Sequence, residues 1–234
     1  MIMTTKNLSQ FAIANWDTYK TSIAIASKNE RGQALVECED DIYNFDEICK
    51  SIFNSNNIST SADGILFEGK NIELIEFKSG FKQRITKKAF NEEKGKCKKT
   101  TPEIICDDYW NLFWDNQERK IRELTDSIKL KAVESYITLE KHLFPICNDD
   151  IEGNSFRIIF TVVVDEDGAD GIEEILAEAS GSNPETNNQL ISLKQSLRRF
   201  SNITDCKGNA YLFDEIRVLT AKDFQNRIKL SREI

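Results

Sequence analysis

Residues 62–80 read ADGILFEGKNIELIEFKSG, and the fold turns on how this stretch pairs with itself. Two runs of alternating apolar and polar residues flank Gly69-Lys70, the pattern of two strands joined by a tight turn. With the turn centred there, antiparallel partners have residue numbers summing to 139, setting Phe67 across from Ile72, Ile65 from Leu74 and Asp63 from Glu76. Strand side chains alternate between faces, so Asp63, Ile65, Phe67, Ile72, Leu74, Glu76 and Lys78 share one. Four apolar residues fill the end near the turn. Asp63, Glu76 and Lys78 gather at the far end.

Two carboxylates held a few ångströms apart repel each other unless positive charge lies between them. A divalent cation serves that purpose: Mg²⁺ takes carboxylate and carbonyl oxygens and keeps several waters, one of which can act as a nucleophile. A lysine nearby can orient that water, lower its pKa or stabilise charge on a phosphate. These parts suit hydrolysis of a phosphodiester. The plain alternative is an incidental ion pair.

The rest of the chain narrows the choices. Its 234 residues suffice for one sizeable core, and 40% hydrophobic with 30% charged residues describes an ordinary globular protein. No apolar run approaches the roughly 20 residues that span a bilayer. The first residues, MIMTTKNLSQ, lack the apolar core of a signal peptide, so a cytoplasmic location is expected. Cys38, Cys49, Cys97, Cys106, Cys147 and Cys206 form no CxxC pair, and His142 is the only histidine, so a structural zinc site and histidine-dependent hydrolysis have no support. His142 itself is expected to be a structural residue near a helix end. No GxxxxGK[ST] or GxGxxG loop is present.

Hydrophobic spacing predicts a first helix over 7–27, with Leu8, Phe11, Ala12, Trp16, Tyr19 and Ile23 on one side. A short strand is expected at 33–39, then a helix from Asn44, with Asn44 and Glu47 as a capping box. The hairpin follows, with a further strand possible in register at 81–86. From about 103 to 143 the pattern is helical, and Ile121, Leu124, Ile128, Ala132, Ile137 and Leu143 are expected inside. FRIIFTVVVD, 156–165, is β-branched and apolar, as a central strand covered on both faces requires. Helices near 170–179 and 185–200, a strand at 210–220 and a last helix capped by Thr220 and Asp223 complete a single domain of class α/β (α+β), a mixed sheet flanked by helices.

ADGILFEGKNIELIEFKSG resembles the active-site hairpin of the PD-(D/E)XK nuclease superfamily, the restriction-endonuclease-like enzymes. The likeness covers about 20 residues directly, and the order of elements over 44–165 fits the family core more loosely. It implies that Asp63 and Glu76 ligate a Mg²⁺ or Mn²⁺ ion, that the backbone carbonyl of Phe77 adds a ligand, and that Lys78 acts on the attacking water. Some members add a glutamate from the preceding helix; Glu47 is the candidate, though the capping role is the preferred reading. Ala62 stands where many members have proline. The family also has a strand before the Asp-bearing one, expected here from 33–39 or 81–86.

The charge is unevenly spread. Lys78 to Lys99 holds nine basic and two acidic residues, a net +7 in a chain whose total is −8, so the remainder carries −15. Lys82, Arg84, Lys87 and Lys88 follow the hairpin closely and are the candidate nucleic-acid contacts; a solvated lysine-rich loop is the simpler account. DEDGADG, 165–171, reads as a polar turn. Trp110, Phe113, Trp114 and Gln117 form a helical stripe expected to pack in the core, with base stacking or a partner groove as the other use. Two functions emerge: a metal-dependent nuclease acting on DNA, as a homodimer or with a partner protein, or a catalytically inactive protein of the same fold that binds nucleic acid or protein in a defence or mobile-element system. If the basic segment holds a duplex, its affinity falls by about 10³ or more between 50 and 200 mM salt. Fluorescence anisotropy with a labelled duplex measures this, and a salt-insensitive affinity removes the segment from the interface.

Overall fold

The computed structural model describes residues 8–53, 60–79, 87–97, 103–146, 156–165, 188–204, 206, 208 and 210–232, with backbone alone at 87–90, 103–105, 117 and 188–192. A six-stranded mixed sheet organises them: β1 (Lys20–Ser22), β2 (Asp41–Asn44), β3 (Gly64–Glu68), β4 (Asn71–Lys78), β5 (Arg157–Val164) and β6 (Glu215–Thr220) lie side by side in chain order. The first four strands pair antiparallel, whereas β4–β5 and β5–β6 are parallel. Parallel neighbours need long crossovers, and helices supply them.

The hairpin register is the expected one. Phe67 pairs with Ile72, Ile65 with Leu74 and Gly64 with Ile75. Gly69 sits at φ 60°, the left-handed backbone that favours glycine and lets the turn close there. Alternation then sorts the strands. Ile65, Ile72, Leu74, Ile158, Phe160, Val162 and Val164 enter one apolar cluster, and Ile42, Ile75, Phe77 and Val163 enter another on the opposite face. The first face is covered by α1 (Leu8–Asn15), α3 (Phe45–Phe53) and the C-terminal half of α5 (Glu103–Thr138). The second lies under α2 (Ile23–Ala26) and the final helix α8 (Ala221–Arg232). β5 is buried from Ile158 to Val164, the central strand its composition predicts.

Several expectations are corrected. The helix expected over 7–27 stops at Asn15, a 3₁₀ turn covers Asp17–Tyr19, and β1 follows. Leu8, Ala12 and Trp16 belong to the first cluster but Ile23 to the second, so one helical spacing conceals a crossing from one face of the sheet to the other. Residues 33–39 form no strand. The carbonyls of Cys38 and Asp40 accept the N–H groups of Ala24 and Ile23, and Val36 N–H bonds the Ser27 hydroxyl. The strand beside β3 is instead β2, four residues long. The expected strand 81–86 and helix 170–179 lie outside the described residues. Part of the lysine-rich segment is helical, α4 (Lys87–Cys97). The later helix divides into α6 (Asn188–Leu197) and α7 (Arg199–Asn202).

Both caps form. Asn44 Oδ1 accepts the Glu47 N–H at 3.0 Å, and Thr220 Oγ1 accepts the Asp223 N–H at 3.1 Å. The 36 residues of α5 extend about 54 Å. A π-turn (Leu139–Leu143) then continues into Phe144–Ile146. Ile128, Ala132, Leu139 and Leu143 are buried, whereas Ile137 is exposed, contrary to expectation. Among the described residues of 107–127 none is fully buried, and this arm of α5 runs beside α4. Trp110 and Phe113 lie on this arm with Tyr109, edge to face at 5.3 and 5.6 Å, and join neither apolar cluster. Trp110, Phe113 and Trp114 are each partly buried.

Gly64 begins β3 where β2 crowds it. A Cβ there would lie 2.2 Å from Cδ1 and 2.9 Å from Cγ1 of the buried Ile42. Gly64→Ala is expected to cost about 1–3 kcal/mol, because a packed side chain has little room to retreat. In an Ile42→Ala background the added cost should largely vanish. Urea unfolding of the two single variants and the double variant measures this coupling.

Candidate functional site

Asp63 immediately precedes β3, and two neighbouring helices, α3 and α5, fix the segment leading to it. Thr60 donates its hydroxyl to Glu134 at 2.7 Å, Ser61 donates to Asp46 at 3.0 Å, and the Ala62 N–H donates to Ser135 Oγ at 2.8 Å. The Asp63 carbonyl accepts the Phe45 N–H at 3.2 Å. Across the hairpin, Asp63 Oδ2 accepts the Phe77 N–H at 2.7 Å. The aspartate therefore lies beside Glu76 and Phe77, as the register requires. In an extended strand a residue's N–H and C=O point to the same side, which directs the Phe77 carbonyl toward Asp63.

The sequence reading missed the group that joins the carboxylates. Lys131 of α5 donates to Asp63 Oδ1 at 3.0 Å and to Glu76 Oε2 at 2.8 Å. Its ammonium sits between the two acids. Lys78 Nζ is 3.8 Å from Glu76 Oε1, an oxygen that is buried and has no hydrogen-bond partner. The Glu76 side chain is fully buried, while those of Asp63, Lys78 and Lys131 are 27%, 24% and 19% exposed. Glu76 thus forms the floor and the other three the rim.

A signal for Lys131 did exist. Ile128, Ala132 and Ser135 are buried on one side of α5, and Lys131 falls among them at helical spacing. A lysine within an inward stripe needs a buried carboxylate partner. What the sequence alone lacked was the packing that sets α5 against the hairpin.

The charges follow from this geometry. Burial, with the nearby charge of Asp63 added, pushes the Glu76 carboxyl up from 4.5 to about 8, against the opposing pull of Lys131 and Lys78. Burial works against the Lys131 ammonium, but the charges and hydrogen bonds of Glu76 and Asp63 outweigh it and raise its pKa.

The other candidates fall elsewhere. Glu47 pairs with Lys50 at 2.7 Å on an exposed part of α3, the place of a helix-end residue. Lys82 and Arg84 lie outside the described residues, as do the side chains of Lys87 and Lys88. Asp165 follows β5 directly; the remainder of 165–171 is outside the described residues. His142 occupies the π-turn with its ring 4.7 Å from that of Phe53. Cys49 is in the core, its thiol pushed up to about 12 by burial, which rules it out as a nucleophile at neutral pH.

Among the described residues no third His, Cys, Asp or Glu joins Asp63 and Glu76. Their oxygens, the partnerless Glu76 Oε1 and the Phe77 carbonyl form a hard donor set of the kind Mg²⁺ or Mn²⁺ accepts. Among the described residues no helix is long and apolar enough to cross a membrane. No family model, curated protein or solved structure matches the chain.

Between pH 4.5 and 8 the folded site holds a proton that unfolded Glu76 has released. The contribution of Glu76 to the stability of the metal-free protein is therefore fully present below this window and is lost as pH rises through it. Urea midpoints in chelator, measured at about pH 5 and about pH 8.5, should fall for the wild type and stay nearly level for Glu76→Gln. Equal falls in both would show that another group is responsible.

Proposed function

We propose that this chain is a divalent-cation-dependent nuclease of the restriction-endonuclease-like class, hydrolysing phosphodiester bonds in DNA. The observation that carries the reading is the convergence of Asp63, Glu76 and Lys78 on one face of the hairpin, with the two carboxylates flanking a single cation position. The sheet supports it: an antiparallel hairpin bearing the acids, an antiparallel strand beside β3, and a helical crossover to a parallel strand beside β4. One departure is α3, which stands between β2 and β3 in the chain.

Asp63 and Glu76 would hold the ion with the Phe77 carbonyl. A bound Mg²⁺ or Mn²⁺ supplies Lewis acidity and a water of lowered pKa. Lys78, about three-quarters buried at the rim, would orient the attacking water and meet a phosphate oxygen. Asp63 anchors the Phe77 amide and so keeps that part of β4 in place. Glu76 supplies a carboxylate screened from bulk water, where electrostatic interactions are strongest.

Lys131 favours a second reading. A carboxylate pair already satisfied by an internal ammonium is also what a protein of this fold without catalysis would have. Cleavage of supercoiled and linear DNA with Mg²⁺ or Mn²⁺ separates the two. The nuclease reading expects metal-dependent cleavage, reduced about a hundredfold or more by Lys78→Ala and by Asp63→Ala with thermal unfolding still cooperative. Wild-type rates in both variants, or no cleavage under any metal, would sink it.

A further inference from the structure

The geometry points to Lys131 as a built-in counter-cation that occupies the metal's place between Asp63 Oδ1 and Glu76 Oε2, so that a divalent ion enters by displacing it. This rests on the reading of Asp63 and Glu76 as metal ligands. The ammonium lies 3.0 and 2.8 Å from the same oxygens a metal would use. A divalent ion bonded to those oxygens at about 2.1 Å would stand within about 5 Å of the ammonium if the lysine stayed put. At that range in a half-buried site, three positive charges face two carboxylates, and repulsion favours departure of the lysine.

The surroundings allow that departure. Lys131 has a flexible four-carbon stem and keeps partial access to solvent, so its side chain can leave without moving the helix. The helix itself is held: Glu134 and Ser135 bond Thr60 and Ala62 on the next turn. Exchange is therefore confined to one side chain. The buried Glu76 Oε1, which Lys131 leaves without a hydrogen bond, gains a ligand only when a metal arrives. On the opposite face of β4, buried Glu73 is met by Arg227 at 2.8 Å, by Arg217 at 3.6 Å and by the Thr161 hydroxyl. The two charged partners there are rigid guanidiniums held in a wider network, whereas Lys131 is a single ammonium.

Lys131 thus acts as a positioning residue for the metal-free site and as a determinant of metal affinity. The test is a Mn²⁺ titration of the full chain by calorimetry and thermal shift, comparing wild type with Lys131→Gln and Lys131→Met. Gln keeps a hydrogen-bond donor without the charge and guards against failure of the Met variant to fold. The expected result is Mn²⁺ bound about tenfold or more tightly by the neutral variants, with a lower metal-free Tm and a larger rise on metal addition. Adding Asp63→Asn should cancel that gain. Equal Mn²⁺ affinity in wild type and variants, or weaker affinity in the variants, overturns the competition while leaving the metal site standing. No Mn²⁺ response in wild type or in either variant overturns both.

Discussion

A single ammonium shared by two carboxylates joins the hairpin to the helix that crosses it. Glu76 is fully buried, and a buried carboxylate without compensation costs several kcal/mol. Lys131 compensates it and Asp63 together, so the end of β4 and the body of α5 must meet in one arrangement. Ser135 and Glu134, one turn along, hold the 60–63 segment in the same grip. The polar seam therefore fixes the crossover to β5 as firmly as the apolar stripe beneath it. Removing one member leaves charge uncompensated, which is why such seams constrain a fold even when they add little net stability.

β4 carries two buried glutamates three residues apart, and the pleat sends them to opposite faces. Glu73 meets Arg217, Arg227 and Thr161, a network that extends to Glu68 and Glu215 and ties β3, β4, β5 and β6 to α8. Glu76 meets two lysines at an edge partly open to water. Guanidinium pairs suit permanent structure because their donors are planar and fixed. Ammoniums on long stems suit a site whose occupant changes. The two faces of one strand thus pair their buried acids with different cations, guanidiniums on one side and ammoniums on the other.

The hairpin was legible because everything it needed was local: Gly69 for the turn, a period of two for the faces, and charges confined to one end. The caps at Asn44 and Thr220, and the all-apolar β5, were legible for the same reason. The two short strands at the start of the sheet were not. Lys20–Ser22 and Asp41–Asn44 are too brief to show a period, and the alternation of Val36 and Cys38 reflects packing onto the second face rather than a ladder. The aromatic stripe of α5 is periodic in the sequence, but periodicity does not say which neighbour a helix face meets. Lys131 stands 55 residues from Glu76. Its importance comes from a tertiary contact that no local pattern encodes, apart from a charge out of place in an inward stripe.

The pleat also limits how this gene segment can change length. A single codon inserted within β4 before Glu76 would send Glu76 and Lys78 to the arginine face, while the apolar residues moved with them would leave the first cluster. Asp63 would keep its place and lose its companion. Codons can be gained or lost there only in pairs matched by pairs in β3, since a lone pair would carry Glu76 two positions past Asp63, or in the turn at Gly69, where they leave the ladder untouched. Spacing between the two acids among descendants of this sequence is therefore expected to change through loop growth at Gly69-Lys70.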